Sequence, residues 1–234
     1  MVNDTLRLPA EGSDAVSAEI ATPEDPPKPL LRGRIHQVAF YLSIPAGITL
    51  VLISGGVSAK VATALFALSL AGLFGTSSTY HIGNWTPHVK ARWRRMDHAM
   101  IFVLIAGSYT PITLLALQPA WGISLLAIVW TVAVVGVTLA LARFGALNRA
   151  GGYLYIGMGW IVVIALPAVI TSLSPSELAL LFAGGVLYTV GAIGLRSHWP
   201  NPRPSVFGYH EVWHAMTVAA AVCHFTLVAM LVRA

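Results

Sequence analysis

The chain has 234 residues, of which 56% are hydrophobic and only 10% are Asp, Glu, Lys or Arg. An ordinary soluble domain carries about 25% charged residues, so this composition excludes a soluble globular protein and indicates a polytopic membrane protein. Because Cys223 is the single cysteine, a disulfide framework and a cysteine-based zinc site are also excluded. The net charge of +5 would suit nucleic acid, but the distribution of charge along the chain argues against that partner.

The N-terminal segment, residues 1–30, is the acidic part of the chain. Six of the nine acidic residues lie in the first 25 positions, and a group of prolines closes the segment. Its polar composition does not fit a secretory signal, which needs an apolar run before a small-residue cleavage site. We expect a disordered, acidic, proline-rich cytoplasmic tail, followed by one transmembrane domain over residues 31–234.

Seven apolar stretches follow the tail, and each is long enough to cross the hydrocarbon core as a helix of about 20 residues. Long apolar runs without period-two alternation favour helices, since every backbone polar group in lipid must be bonded internally. An all-α, seven-transmembrane helix bundle is therefore predicted. Pro45, Pro111 and Pro167 fall inside spans and are expected to kink them. The predicted spans are about 35–54, 61–81, 96–117, 121–142, 152–171, 177–195 and 206–232.

The basic residues predict the orientation of the bundle. Twelve of the 14 lie on the side of the N-terminus, whereas Lys60 and Arg233 lie on the other side. Basic residues are enriched in cytoplasmic loops, so we expect the N-terminus in the cytoplasm and the C-terminus outside, in a multi-pass protein of the cell membrane. The positive charge then faces anionic headgroups. Membrane lipids, and no nucleic acid, are the expected partners.

Ionisable residues from three distant segments are expected at one depth, in the cytoplasmic leaflet. His81 ends span two, Asp97 begins span three, and His210 and His214 begin span seven. His210 and His214 are four residues apart and so share a helix face. With His81 from another helix they make three protein ligands and leave one position open, which is the arrangement of a catalytic zinc site.

Two further polar residues suit positions beside the metal. Ser77 lies one turn before His81, and Asp97 suits orientation of an imidazole or acceptance of a proton from water. The competing interpretation is that each histidine only finds hydrogen bonds at the membrane boundary, but a group of ionisable residues is costly there without a function. His36 opens span one at the same depth and could line the cavity, although nothing in the sequence pairs it with the other histidines. His224, about 15 Å deeper, is interpreted as a hydrogen-bonded core residue.

The segment His210-Glu211-Val212-Trp213-His214 also matches the H-E-x-x-H pattern, in which Glu is the general base of a metallopeptidase. Here the pattern opens a predicted membrane span and not a helix in a soluble cleft, so the peptidase is the less favoured interpretation. Glu177 follows Ser174 and predicts a helix start at the outer end of span six.

Several segments together resemble the hemolysin III family, the bacterial branch of the progestin and adipoQ receptors, which groups with the alkaline ceramidases among membrane hydrolases. The resemblance covers the chain from about residue 30 to its end. It implies seven helices with the N-terminus inside and one zinc ion bound by His81, His210 and His214, with Ser77 and Asp97 nearby. The segments are Ser77–His81, Met96–His98 leading into Ile105–Pro111, His210–His214 and, before span one, Arg32–His36.

The leading hypothesis is a zinc-dependent membrane protein that hydrolyses a lipid amide or ester and acts in membrane lipid homeostasis. Asp97 would accept a proton from a water of lowered pKa, and Ser77 would hydrogen-bond the developing oxyanion. One alternative is a non-enzymatic regulator of membrane fluidity or energetics in which zinc is structural or sensing. Another is a lytic, hemolysin-like protein. A transporter is disfavoured, because transporters need polar residues near the midplane. Substrate identity and oligomeric state stay open.

Overall fold

The computed structural model describes residues 28–142 and 147–233, with backbone alone for residues 147–152. This part of the chain contains helices and no β-strand, and seven helical segments in it are long and apolar enough to cross a membrane. The prediction of an all-α multi-pass protein is thereby confirmed; the predicted tail lies, up to residue 27, outside the described residues. The helices are α1 (Arg34–Ile53), α2 (Gly56–Ile82), α3 (Pro87–Leu115), α4 (Pro119–Leu141), α5 (Leu147–Gly159), a 3₁₀ turn (Ile161–Ala165), α6 (Leu166–Ser172), α7 (Pro175–Ser197) and α8 (Tyr209–Leu231).

The bundle is built from neighbouring antiparallel helices joined by short loops. Helix α2 packs against α1 and α3, α3 against α4, and α7 against α8, while α8 also contacts α1 and α3. Helix α3 is the most buried of the spans. We call the end of the bundle that contains Arg34, Ile82 and Tyr209 the inner end, and the opposite end the outer end. That the inner end faces the cytoplasm remains a prediction from the basic residues.

Large apolar side chains cover much of the outside of the bundle. Leu52 on α1, Val57 and Leu68 on α2, and Ile123 and Val134 on α4 are all more than half exposed. In water such a continuous apolar surface would be an aggregation hazard. In a bilayer these side chains face lipid tails, which agrees with the number and length of the spans.

Glycine lets the central helix approach its neighbours closely. A Cβ atom at Gly136 on α4 would lie 2.4 Å from the Phe102 ring on α3, and Phe102 is almost completely buried. On the other side of α3, a Cβ atom at Gly107 would lie 2.2 Å from the Ser69 hydroxyl of α2. Small residues of this kind are typical of helix interfaces within membranes.

Span five, predicted over 152–171, is interrupted just before Pro167, the residue at which the sequence predicts a kink. Helix α5 ends at Gly159, a 3₁₀ turn follows, and α6 resumes with Pro167 in its first turn. The hydroxyl of Tyr109 on α3 donates to the Gly159 carbonyl at 2.8 Å and accepts from the Val162 amide at 2.9 Å. These two bonds satisfy backbone groups that the broken helix leaves free, as a span in lipid requires.

Helix α3 begins nine residues before the predicted start of span three, with Pro87 in its first turn. Its 29 residues are about 43 Å long at 1.5 Å per residue, which exceeds the roughly 30 Å hydrocarbon core. The basic residues at positions 90–95 therefore lie on a helical extension and not in a loop. At the outer end the helix start predicted from Ser174 and Glu177 is confirmed as a capping box of α7.

Candidate metal centre

Three histidines from two helices converge near the inner end of the bundle. His81 is the second-last residue of α2, and His210 and His214 lie in the first two turns of α8. The three rings are mutually edge-on, with ring centroids 4.6 to 5.0 Å apart. His81 and His214 are buried, and His210 is half-buried. The sequence prediction that these three residues meet is confirmed.

The distances fit a metal ion bound between the rings. The Nε2 atoms of His81 and His210 are 3.2 Å apart, and one nitrogen from each of the three rings lies within 4.8 Å of the others. Tetrahedral coordination at the usual metal–nitrogen distance for zinc separates two ligand nitrogens by about 3.3 Å. The His81–His210 pair therefore already has this spacing. A small movement of His214 toward the other two rings would bring all three nitrogens to it. The cluster could hold a metal ion.

Ser77 and Asp97 form a pair beside this cluster. Ser77 lies one turn before His81 on α2 and is buried, and its hydroxyl lies beside the carboxyl of Asp97 on α3. The Asp97 side chain is 14% exposed, and one of its oxygens lies 3.8 Å from Nδ1 of His98. The two residues expected near the metal thus contact each other across the α2–α3 interface.

Glu211 does not have the contacts of the general base that the H-E-x-x-H pattern suggests. One carboxylate oxygen accepts a hydrogen bond from Nε of Arg32, and the other accepts from the Gly208 amide at 2.8 Å. The side chain is fully buried. Because both oxygens are engaged in an ion pair and a helix cap, Glu211 has a structural position at the start of α8 and is not placed as a general base.

His36 is part of the cluster's surroundings, and it has there a partner that the sequence did not indicate. Its ring stacks on that of His214, with centroids 3.9 Å apart and planes inclined by 12°. The side chain is buried, and neither ring nitrogen has a hydrogen-bond partner of normal geometry. Sequence reasoning missed the contact because His36 is 178 positions from His214 and fits no metal-ligand spacing.

His224 behaves as the sequence analysis expects of a core residue. It is buried on α8, and its Nε2 lies 3.3 Å from the carbonyl of Leu181 on α7. That bond places the proton on Nε2 and leaves Nδ1 as the acceptor. The nearest glycine, Gly184, lies directly under the ring, so the site is a tight helix contact rather than part of the cluster.

Comparison with known proteins gives one consistent set of relatives. The family described as Haemolysin-III related matches residues 25–225. Hemolysin-3 of Bacillus cereus is 33% identical over 193 residues, which cover 81% of this chain and 85% of that protein. The Hemolysin-3 homolog of Bacillus subtilis (strain 168) is 31% identical over 195 residues, or 81% and 87% of the two chains. The Monocyte to macrophage differentiation factor of Homo sapiens is 24% identical over 180 residues, or 71% and 68%.

The fold and the cluster define a polytopic membrane protein whose three converging histidines could hold a metal ion. The match to the family model covers most of the chain, and it includes all three histidines and the Ser77–Asp97 pair. The chain therefore belongs to the haemolysin III-related family. The resemblance inferred from the sequence is confirmed, and the human relative extends it to the animal branch.

Proposed function

We propose that the protein is a zinc-dependent hydrolase of lipid amide or ester bonds, with one zinc ion held by His81, His210 and His214. The observation that carries the proposal is the convergence of three imidazoles from two helices at one point. Three neutral nitrogen ligands leave a fourth position open, as in catalytic zinc sites. When bound there, zinc supplies Lewis-acid activation of a water molecule and of a carbonyl group.

Asp97 is the proposed proton acceptor, and Ser77 is its proposed partner. Ser77 lies beside the Asp97 carboxyl, where its hydroxyl would donate to that carboxyl and hold it in one orientation. Asp97 would take a proton from the attacking water and return it to the leaving nitrogen or oxygen. A protonated carboxyl is a weaker acceptor, so the Ser77 hydroxyl would then be free to donate to the negative charge that develops on the carbonyl oxygen.

A membrane lipid is the proposed substrate, because the cluster lies near the ends of spans that face lipid. His81 is one residue from the end of α2, and His210 is one residue from the start of α8. This depth corresponds to the boundary between headgroup and acyl chain, where the amide of a ceramide or the ester of a glycerolipid lies. The acyl chain would then extend along the apolar helices.

Turnover by the purified protein tests this proposal. The zinc-loaded protein in lipid nanodiscs is given ceramides, diacyl phospholipids and monoacyl esters, and released fatty acid is measured by mass spectrometry. We expect release from one lipid class. Asp97→Asn should lower it by about 10²- to 10⁴-fold with unchanged zinc content. Ser78→Ala is the matched control for Ser77→Ala, because Ser78 bonds to the carbonyl of Gly75 in its own helix.

Three results would contradict the proposal in different ways. A zinc-loaded wild type that releases no fatty acid from any of the lipids argues against a hydrolase and leaves the metal structural. An Asp97→Asn variant with full activity argues against the proton-acceptor role alone. Equal losses in Ser77→Ala and Ser78→Ala would likewise remove the specific role of Ser77.

A second candidate function rests on the name of the relative Hemolysin-3 of Bacillus cereus. Under this proposal the protein would permeabilise a target membrane. Release of haemoglobin from red cells by the purified protein, compared with His210→Ala, measures it. Lysis that is independent of the histidine cluster would favour a lytic role over hydrolysis, and intact red cells would count against it.

A further inference from the structure

Residues 28–33, which we call the N-terminal strap, cross the inner end of the bundle before α1 begins. The backbone amide of Leu30 donates to the Ser205 carbonyl at 2.9 Å, and that of Leu31 donates to the Val206 carbonyl at 3.1 Å. Residues 205 and 206 belong to the loop that leads into α8. The strap is therefore bound, through its backbone, to the segment that immediately precedes His210.

The same strap contacts the end of α2 at His81. The Lys28 ammonium group lies 3.5 Å from the His81 carbonyl oxygen and 3.3 Å from that of Gly83. Gly33 has a positive φ of 78°, and a Cβ atom there would lie 2.8 Å from Cβ of His81. Glycine is thus required both by the backbone conformation and by the close approach to a residue of the cluster.

At α8 the strap is held by a buried ion pair. Arg32 bonds to Glu211, whose side chain is fully buried, whereas that of Arg32 is 21% exposed. Glu211 directly follows His210 and also caps the Gly208 amide. Removing one partner of such a pair leaves an uncompensated buried charge. Without Arg32, the Glu211 carboxylate would turn toward water and displace the first turn of α8, which contains His210.

The strap spans two helices whose direct contacts are a few rings, those of the histidines and of Phe66 and Phe225. Helix α8 packs against α7, α1 and α3, whereas α2 packs against α1 and α3. His81 and His210 therefore reach each other from helix ends that have no extensive shared interface in the described part of the chain. One short segment contacts both ends, at the residues that the 3.2 Å nitrogen–nitrogen distance joins.

We propose that Arg32 is a positioning residue of the metal site, because its ion pair with Glu211 fixes the strap to α8 and so sets the separation of His81 and His210. This inference rests on the proposed function, in which the histidine cluster binds a metal. It adds to the three histidine ligands a further residue that metal binding requires. A residue that touches neither metal nor substrate determines how well the ligands are spaced.

Metal affinity and ligand geometry in the full-length protein test this inference. The apo protein in nanodiscs is titrated with Zn²⁺ against a chelator and, separately, with Co²⁺, whose visible absorption reports coordination geometry. Arg32→Ala should weaken Zn²⁺ binding by about 10- to 100-fold, the range for residues that orient metal ligands, and should reduce the tetrahedral Co²⁺ band. Arg32→Lys, which keeps the charge, should restore most of both.

Arg34→Ala is the matched control, because it removes the same charge two residues away. Arg34 is exposed and bonds to Gln37 within α1, so its loss should leave affinity and spectrum unchanged. Glu211→Gln provides a second test if Arg32→Ala does not fold, since the amide can still accept from Gly208. Its Zn²⁺ affinity should fall in the same direction by a smaller factor.

The possible outcomes separate this inference from the proposed function. A wild type that takes up no metal overturns the proposed function and this inference with it. A wild type that binds metal together with an Arg32→Ala variant of equal affinity overturns this inference alone. The same holds if Arg32→Ala lowers the melting temperature of the apo protein but leaves Zn²⁺ affinity and the Co²⁺ spectrum unchanged, because the strap would then brace the fold only.

Discussion

The inner and outer ends of the bundle both bury histidine, but in different surroundings. At the inner end His81, His210 and His214 face one another, and two of their nitrogens are 3.2 Å apart. His224 lies on the same helix as two of them, about 15 Å further along, and is bonded to the Leu181 carbonyl. Burial of an imidazole in a membrane bundle therefore does not define a site. Convergence of several imidazoles from separate helices is what makes the inner cluster a candidate site.

The inner histidine cluster and His224 also differ in the residues that surround them. The inner cluster lies beside the Ser77–Asp97 pair and the Arg32–Glu211 ion pair. His224 borders a cavity of about 40 Å³ whose lining is largely apolar. Charged groups in a membrane are costly unless they are paired or functional. Their concentration at the inner end supports placing the chemistry there and assigning the outer end to packing.

Replacing a histidine at each end tests this comparison with the largest expected effect. His81→Ala should reduce bound metal from about one ion per chain to nearly none, because a three-ligand site loses one ligand. His224→Ala should retain the full metal content, since its ring contacts α7 rather than the cluster. Inductively coupled plasma mass spectrometry of the two purified variants measures the difference. Equal metal content in both would remove the distinction between the two ends.

His36 offers a smaller test of how the inner cluster is held. The His36 ring stacks on His214 at 3.9 Å, so His36→Ala should weaken metal binding by about tenfold through a less fixed His214. His36→Phe keeps a flat ring in the same place and should bind metal within a few-fold of the wild type. Chelator competition measures both affinities. If His36→Ala and His36→Phe weaken metal binding equally, the ring nitrogens of His36 contribute more to that binding than its stacking on His214.

Gly184 tests the packing role of the outer end. A Cβ atom there would lie 2.4 Å from Nε2 of His224, so Gly184→Ala must displace the ring. We expect a loss of about 1–3 kcal/mol of stability, the usual cost of overpacking, with metal content unchanged. Gly185→Ala is the matched control, because its Cβ would meet the Trp160 ring at 3.9 Å, an ordinary contact. Thermal unfolding in detergent separates the two variants.

The smallest expected effect concerns the start of α7. Ser174 and Glu177 cap each other's backbone amides at the outer end, and loss of such a cap costs about 1 kcal/mol. Ser174→Ala should lower the unfolding temperature slightly and leave metal content and turnover unchanged. A change in metal affinity in this variant would show that the two ends of the bundle are coupled, in conflict with their assignment to separate roles.

Hydropathy predicted the existence and approximate bounds of the spans. Each span needs enough apolar residues to cross the lipid, whichever helices it packs against. Hydropathy did not predict the interruption between Gly159 and Leu166, since that break is completed by the hydroxyl of Tyr109 from another helix. It also missed the first nine residues of α3. A polar helical extension outside the lipid has no apolar signal, so a scale of apolarity starts the helix too late in the chain.

The three histidines of the candidate site could be predicted because their spacing places His210 and His214 on one helix face, and because depth places His81 at the same end of the bundle. The stack of His36 on His214 and the pair of Arg32 with Glu211 could not. Both join residues far apart in sequence, and their contacts depend on how α1 packs between α2 and α8. A partial signal existed for Glu211, as one of three acids beyond the tail, and a buried acid needs a partner.

X-ray absorption at the zinc edge of the purified, full-length protein determines whether the three histidines bind zinc. We expect about one zinc ion per chain with three imidazole nitrogens at about 2.0–2.1 Å and one further light atom, and a disordered or lower-affinity site in His210→Ala. Protein that binds no zinc, or a zinc shell in which His210→Ala leaves the number of imidazoles unchanged, would contradict this expectation.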